Sequence, residues 1–254
     1  MSASSKPVPR MTTGERRKLR VLAAPVAFNE KEKIGNVLDR FHRSDVDEIA
    51  VEDDGSTDGT TEIIRSCAVT LLRHETTQGV GSAIRTAIDY GRRNSFDVLV
   101  VLAGNDKDRP GEIPRLLEPI SKDGCDFVQG SRYLPGGNHG NMPLYRRVAT
   151  QFVHPWLFSL VTWRHITDST NGFRAFRLSL LDDKRIDLSQ DWLRAYELEP
   201  YLFFKAIRLG YKVREVPVSK IYPPHHLGYT KMKPITGWWS ILRPLIYLGL
   251  GLKN

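Results

Sequence analysis

Cysteine is almost missing: Cys67 and Cys125 are the two thiols in 254 residues. That is too few for a disulfide framework or a cysteine zinc site, and it favours a reducing compartment. The first twenty residues lack the apolar core of a signal peptide, so secretion is not expected. No Gly-x-Gly-x-x-Gly follows the first apolar run, which argues against a dinucleotide-binding fold. The most apolar stretch near the end, Trp238 to Leu252, is interrupted by Ser240, Arg243 and Pro244. At fifteen residues it is shorter than the roughly 20 needed to span a bilayer. Acidic residues stop at Glu215, whereas Lys220, Lys231, Lys233, Arg243 and Lys253 follow it.

Hydrophobic residues make up 41% and charged residues 26%, which excludes wholesale disorder and a polytopic membrane protein. The net charge is +8, and it is concentrated at the ends. Lys6, Arg10, Arg16, Arg17, Lys18 and Arg20 stand against one acid, Glu15, in the first twenty residues. Two basic ends imply an anionic partner: a phosphorylated ligand, a membrane surface or nucleic acid. Residues 1–18 read as a flexible basic tail, 19–234 as one catalytic domain, and 235–254 as an amphipathic membrane-associating segment.

Between the ends, apolar runs alternate with amphipathic stretches. Strands are expected at Leu19–Phe28, Val46–Glu52, Val69–Arg73, Phe96–Leu102 and Asp126–Gly130. Helices are expected at Lys31–His42, Asp58–Ser66, Gly79–Arg92 and Glu112–Ser121, the last opened by Pro110. Further on, Leu144–Trp163 and Leu193–Leu209 read as helices, and Asp168–Phe176 and Lys212–Val218 as strands. This order predicts an α/β fold with a mainly parallel central sheet flanked by helices. Ligands of such sheets bind beyond the carboxyl ends of the strands. Polar clusters stand there: Asn29-Glu30, Asp53-Asp54-Gly55-Ser56, and Gly104 to Asp108. The Asp-Gly-Ser turn also has a plain reading, as turn and helix-cap chemistry.

Ala27-Phe28-Asn29-Glu30, Val51 to Asp58 and Gly79-Val80-Gly81-Ser82-Ala83 resemble the family 2 glycosyltransferases of GT-A fold. Gly130-Ser131-Arg132-Tyr133, Asp168 to Phe176 and Glu215-Val216-Pro217 are similar to the dolichol/polyprenyl-phosphate sugar synthase branch. The resemblance implies an inverting enzyme that moves a sugar from a nucleotide diphosphate to a polyprenyl phosphate. It implies a donor site of Val26, Phe28, Asn29, Glu30, Asp53, Asp54, Gly81 and Asn105. Asp53 would contact the base, and Gly81 would admit the nucleotide closely. Val26 stands where the family usually has proline.

The family's Asp-x-Asp motif after the fourth strand falls here on Ala103 and Asn105. Two readings stay open. Asn105, Asp106 and Asp108 hold Mg²⁺ or Mn²⁺, or Lys107 neutralises the diphosphate directly. With Arg132, these acids and Lys107 are the expected catalytic group. Arg146, Arg147, Arg174, His225 and Lys231 fall where the family faces the acceptor phosphate. Location on the cytoplasmic face of a membrane as a peripheral protein is expected, with no nucleic-acid partner. Two other readings remain: a hydroxyl acceptor, with Glu197 or Glu199 as base, and a non-catalytic binder of anionic lipid or nucleic acid.

Overall fold

The computed structural model describes residues 18–222 and 236–253. Seven strands form one sheet: β1 (Val21–Ala27), β2 (Glu48–Asp53), β3 (Thr70–Arg73), β4 (Val98–Ala103), β5 (Phe127–Ser131), β6 (Arg174–Arg177) and β7 (Val213–Pro217). Their order is β3-β2-β1-β4-β6-β5-β7. Pairing is parallel except at β6, which runs antiparallel between β4 and β5. Strand β6 begins six residues after the expected strand start at Asp168. The earlier residues form a loop instead, held by side chains from β5 and β7.

The central strands are apolar without alternation because both faces are covered. In β1, Leu22 and Ala24 face one core, while Val21, Ala23 and Ala27 face the other. Helix α1 (Lys31–Asp39), α2 (Thr60–Ser66) and α4 (Ile113–Asp123) cover the second face. Ile34, Val37 and Leu38 of α1 recur at helical spacing and are buried there. The first face is covered by α3 (Val80–Arg93), α6 (His154–Thr162), α7 (Leu198–Arg208) and α8 (Thr236–Gly249). Phe127, Phe158, Phe176 and Phe203 stack at its centre, with neighbouring ring centroids 4.9 to 5.8 Å apart.

The expected helix at Leu144–Trp163 is three pieces. Helix α5 (Leu144–Val148) runs into a π-helical turn at Ala149–Val153 and then α6. The Thr150 hydroxyl donates to the Arg146 carbonyl at 2.8 Å, a side-chain bond that competes with the regular ladder. Helix α8 packs on α6 and α7, with Leu245 and Leu248 in the same core.

The chain runs from β1 to β3 on one side, then crosses back to place β4 on the other. The crevice between the ends of β1 and β4 is therefore the topological switch point, where a ligand is expected.

Candidate active site

A cavity of about 700 Å³ opens at that switch point. Val26, Phe28, Asn29 and Glu30 reach it from the end of β1, and Asn105 and Lys107 from the end of β4. Asp54, Gly79, Arg146, Tyr196, Glu199, Lys220 and Tyr222 also stand in its wall.

The floor is tied together by short polar side chains. Asn29 takes φ 51°, a left-handed conformation that Asn tolerates. Its backbone N–H donates to Ser56 Oγ and its Oδ1 accepts from Thr57 N–H, both at 2.8 Å. The Glu30 N–H donates to Thr60 Oγ1 at 2.8 Å, and Lys33 pairs with the Glu30 carboxylate at 2.6 Å. The loops after β1 and β2 are thus one unit.

Asp54 accepts the N–H groups of Gln78 and Gly79 at 2.8 Å each, which fixes the turn into α3. His74 bridges Asp54 Oδ1 and Thr86 Oγ1, each at 2.8 Å. Glu52, Asp54 and His74 form the one group of three metal-capable side chains found among the described residues. Asp54 and His74 already have partners, and both Glu52 oxygens are buried without a hydrogen bond, although Oε1 lies 3.2 Å from His74 Nδ1. Burial, reinforced by Asp54 and Asp53, pushes the Glu52 carboxyl up to about 8. Burial thus favours its neutral form near neutral pH.

That shift has a consequence for stability. The folded value exceeds the ordinary 4.5, so the folded state binds the extra proton between the two. Its stabilising contribution is complete below pH 4.5 and is lost as pH rises to about 8. Glu52→Gln should flatten this part of the pH profile, gaining on the order of 3 kcal/mol at pH 9 relative to the parent. Urea denaturation at pH 5 and pH 9 measures it. Equal pH dependence in both proteins would refute the buried acid.

Several expected site residues lie elsewhere. Asp53 is fully buried; its carboxylate accepts the Ser56 N–H at 3.0 Å and the Thr61 hydroxyl. The turn-and-cap reading describes it, and Asp54 is the member of the pair that lines the cavity. Gly81 is a close approach to protein, not to the cavity. A Cβ there would meet the Leu193 carbonyl oxygen at 2.1 Å, and the Gly81 N–H donates to the Arg194 carbonyl at 2.9 Å. The segment Leu193–Ala195 lies over the start of α3, and α7 begins at Leu198 rather than at the expected Leu193.

Arg132 is buried against Asp168, with Nε at 2.6 Å and Nη2 at 2.7 Å from its oxygens. Burial opposes its charge, but Asp168 more than compensates and raises its pKa further. Glu215 accepts the Thr167 and Asp168 N–H groups at 2.8 Å and braces the same loop. Arg174 is also buried, donating to the carbonyls of Glu199 and Asn171. Arg147 is exposed and bonds Gln151, and of the expected acceptor cations only Arg146 lines the cavity among the described residues. His225 and Lys231 lie outside the described residues.

Glu197 is occupied by the Ser240 hydroxyl at 2.5 Å, Arg243 at 2.7 Å and the Ala195 N–H at 3.0 Å. It anchors α8 and does not face the cavity. Glu199 does line it, 3.3 Å from an Arg174 amino group.

The loop after β4 does not fit the expected ion site. Asp106, at φ 60°, pairs with Arg40, the residue that follows α1. Asp108 is buried, with Oδ2 accepting the Ala103 N–H at 2.9 Å and Oδ1 accepting from Lys220 at 2.6 Å. A hard divalent ion binds mainly through carboxylate oxygens. Both carboxylates here are committed to cations or to backbone, and Asn105 alone of the expected three reaches the cavity. Cations crowd the space instead. Burial, then Lys220 and Arg146, pushes the Lys107 ammonium down to about 7, with Glu30 opposing.

Lys33, Lys220, Tyr196 and Tyr222 escaped the sequence reading. Lys33 follows Glu30 by three residues on α1, a spacing that was available as a signal. Lys220 and the two tyrosines reach the site through tertiary packing alone.

The chain is similar to known proteins along most of its length. The profile of Glycosyl transferase family 2 matches residues 26–196. The polyprenol monophosphomannose synthase of Mycolicibacterium smegmatis is 33% identical over 221 residues, covering 84% of this chain and 81% of the relative. The undecaprenyl-phosphate mannosyltransferase of Micrococcus luteus is 32% identical over 227 residues, covering 84% and 88%. Among solved structures, glucosyl-3-phosphoglycerate synthase from Mycobacterium tuberculosis, in complex with Mn²⁺, UDP and glucosyl-3-phosphoglycerate, superposes with a TM-score of 0.65 at 19% identity. The match covers 97% of this chain and 86% of that one.

Proposed function

The chain belongs to glycosyl transferase family 2 and is a glycosyltransferase of GT-A fold, and on that premise we propose that it transfers a sugar from a nucleoside diphosphate to a polyprenyl phosphate at a membrane surface, inverting the anomeric centre.

One observation carries the acceptor. Helix α5 supplies Arg146 to the cavity wall, while its neighbours Leu144, Tyr145 and Val148 are exposed. The apolar stripe continues through Phe152, Val153, Trp156, Leu160 and Trp163, the last 83% exposed. Monomers rarely leave so large an apolar face in water. Helix α8, packed beside α6, adds exposed Trp239 and Ile246, and the turn after it adds Leu250 and Leu252. Arg147, Arg164 and His165 are exposed beside the stripe. A cation in the wall next to an apolar, Trp-bearing, base-flanked ridge suits a phosphate head on a long apolar chain. No helix among the described residues is long and apolar enough to cross a membrane, so the ridge is read as lying in the interface.

The chemistry asks little of a base. An acceptor phosphate is ionised near neutral pH, its second pKa being about 6. Its oxygen attacks the anomeric carbon, the bond to the β-phosphate oxygen breaks, and that oxygen keeps the electron pair. No proton has to move. Asp54 and the loops around Asn29 and Glu30 hold the donor end, and Arg146 meets the acceptor phosphate. Alignment and charge neutralisation do the rest.

A second reading keeps the fold and takes a hydroxyl acceptor. Glu199 in the cavity wall favours it, since a carboxylate there is placed to accept a proton. GDP- and UDP-sugars offered with a short polyprenyl phosphate, the matching polyprenol and a simple glycoside separate the two. Mass spectrometry should find product from the phosphate alone. Product from the polyprenol or glycoside, with none from the phosphate, would move the function to the second reading.

A further inference from the structure

We propose that Lys107 and Lys220 together provide the cation that receives the leaving diphosphate, in the place where a divalent ion is expected in this fold. The inference rests on the transfer from a nucleoside diphosphate proposed above. It starts from the loop that follows β4 at the switch point. Ala103 offers no ligand atom, and Asn105 offers a neutral amide. Asp106 is held by Arg40, and Asp108 has an N–H on one oxygen and Lys220 on the other.

The same bonds that withdraw the acids present the lysines. Asp108 and Lys220 form an isolated antiparallel bridge between the β4 loop and the segment after β7. The Ile221 N–H donates to the Lys107 carbonyl at 2.8 Å, which fixes the backbone under that side chain. Lys107 lies over the Tyr222 ring, its Nζ 4.8 Å from the centroid. Lys220 Nζ also lies 3.3 Å from Asn171 Oδ1. Lys33, paired with Glu30, and Arg146, 5.9 Å over the same Tyr222 ring, stand around the pair. Asp108 is therefore a positioning residue: it aims Lys220 without lining the cavity, and of the three Lys220 N–H donors Asp108 and Asn171 take two, which leaves one for a phosphate oxygen.

Charge builds on the β-phosphate as its bond to the anomeric carbon breaks. A diphosphate beside Lys107 favours the charged form of that lysine, and with the Lys220 ammonium it is met by two fixed N–H donor groups in a partly closed cavity, the role otherwise given to a metal. A divalent ion in the loop would have to displace Lys220 from Asp108. It would then stand beside Lys107, and like charges at that range repel.

The test uses the full chain, stripped of metal and checked by elemental analysis. Inorganic pyrophosphate, GDP and UDP are titrated by calorimetry in excess EDTA, then with Mg²⁺ or Mn²⁺. At least one diphosphate should bind with an affinity that chelation changes less than twofold. Lys107→Met keeps the stem on Tyr222 and removes the charge. It should weaken diphosphate binding tenfold or more, barely change binding of the corresponding monophosphate, and leave the melting temperature in place. Lys107→Arg should recover part of the loss. If EDTA abolishes diphosphate binding and Mg²⁺ or Mn²⁺ restores it, the lysine pair is not the cation, and the transfer reading survives. Diphosphate binding without metal, together with transfer to a hydroxyl alone, would keep the pair and remove the acceptor. Absence of binding under every condition would remove both.

Discussion

Arg132→Ala should cost roughly 3–5 kcal/mol of folding stability, the usual result of breaking one side of a buried ion pair. Asp168 is fully buried and Arg132 is 4% exposed. The pair is bidentate, and the Arg132 Nη2 also donates to Thr170 Oγ1 at 2.6 Å. Truncation leaves the Asp168 carboxylate inside the protein with only N–H groups from Arg132 and Thr170, at 3.1 and 3.2 Å, and the Thr170 hydroxyl. Arg132→Lys should recover only part of the loss, because an ammonium cannot reproduce the planar fork. Arg146→Ala, in the cavity wall, should leave stability within about 0.5 kcal/mol. Guanidinium denaturation of the three variants decides. If Arg132→Ala keeps its stability and loses turnover instead, Arg132 acts on substrate and the pair with Asp168 is weak.

The second large effect concerns the lipid surface. Phe152, Trp156 and Trp163 are exposed along the segment that runs from α5 to the end of α6. Trp156→Ser combined with Trp163→Ser should lower affinity for anionic vesicles about 10- to 100-fold, given what burial of large apolar side chains contributes. Folding should be unaffected, since both rings are exposed in the free protein. Transfer to a short, detergent-dispersed polyprenyl phosphate should persist, while transfer to long-chain acceptor in vesicles falls with the binding. Sedimentation with vesicles and the two transfer assays read both arms. Unchanged sedimentation of the double variant would end the membrane role of this ridge. These substitutions probe the surface better than removal of the last helix, because α8 also carries Ser240 and Arg243 onto buried Glu197.

Much of the fold is legible from local pattern. Val98-Leu-Val-Val-Leu is short and rich in β-branched residues, as a strand covered on both faces is, and Ile34, Val37 and Leu38 recur at the spacing of one helix face. Backbone hydrogen bonding and apolar periodicity act over a few residues, so the sequence displays them. The first five strands and four helices lie within a few residues of their expected places. Asn29-Glu30 and Asp53-Asp54 likewise announce a site, because parallel strands must deliver their carboxyl ends to one edge.

Assignments within those clusters were not legible, because they depend on which partner a side chain finds across the fold. Asp53 and Asp54 are neighbours of one chemical type, yet one caps a turn and the other lines the cavity. Gly81 allows close approach, but the backbone that approaches is Leu193–Ala195, more than a hundred residues on. Arg132 and Arg174 read as substrate cations until Asp168 and the Asn171 and Glu199 carbonyls are seen around them. Strand β6 reverses direction between β4 and β5, which no local pattern records.

The mainly parallel sheet, its two apolar faces and the edge where a ligand binds can be read from residue order, since they follow from short-range periodicity and strand direction. The tertiary structure alone decided which charges face that ligand. Asp108 meets Lys220 across 112 residues, and with Asp108 buried in that pair and Lys220 left in the cavity wall, an acidic-looking loop presents cations instead.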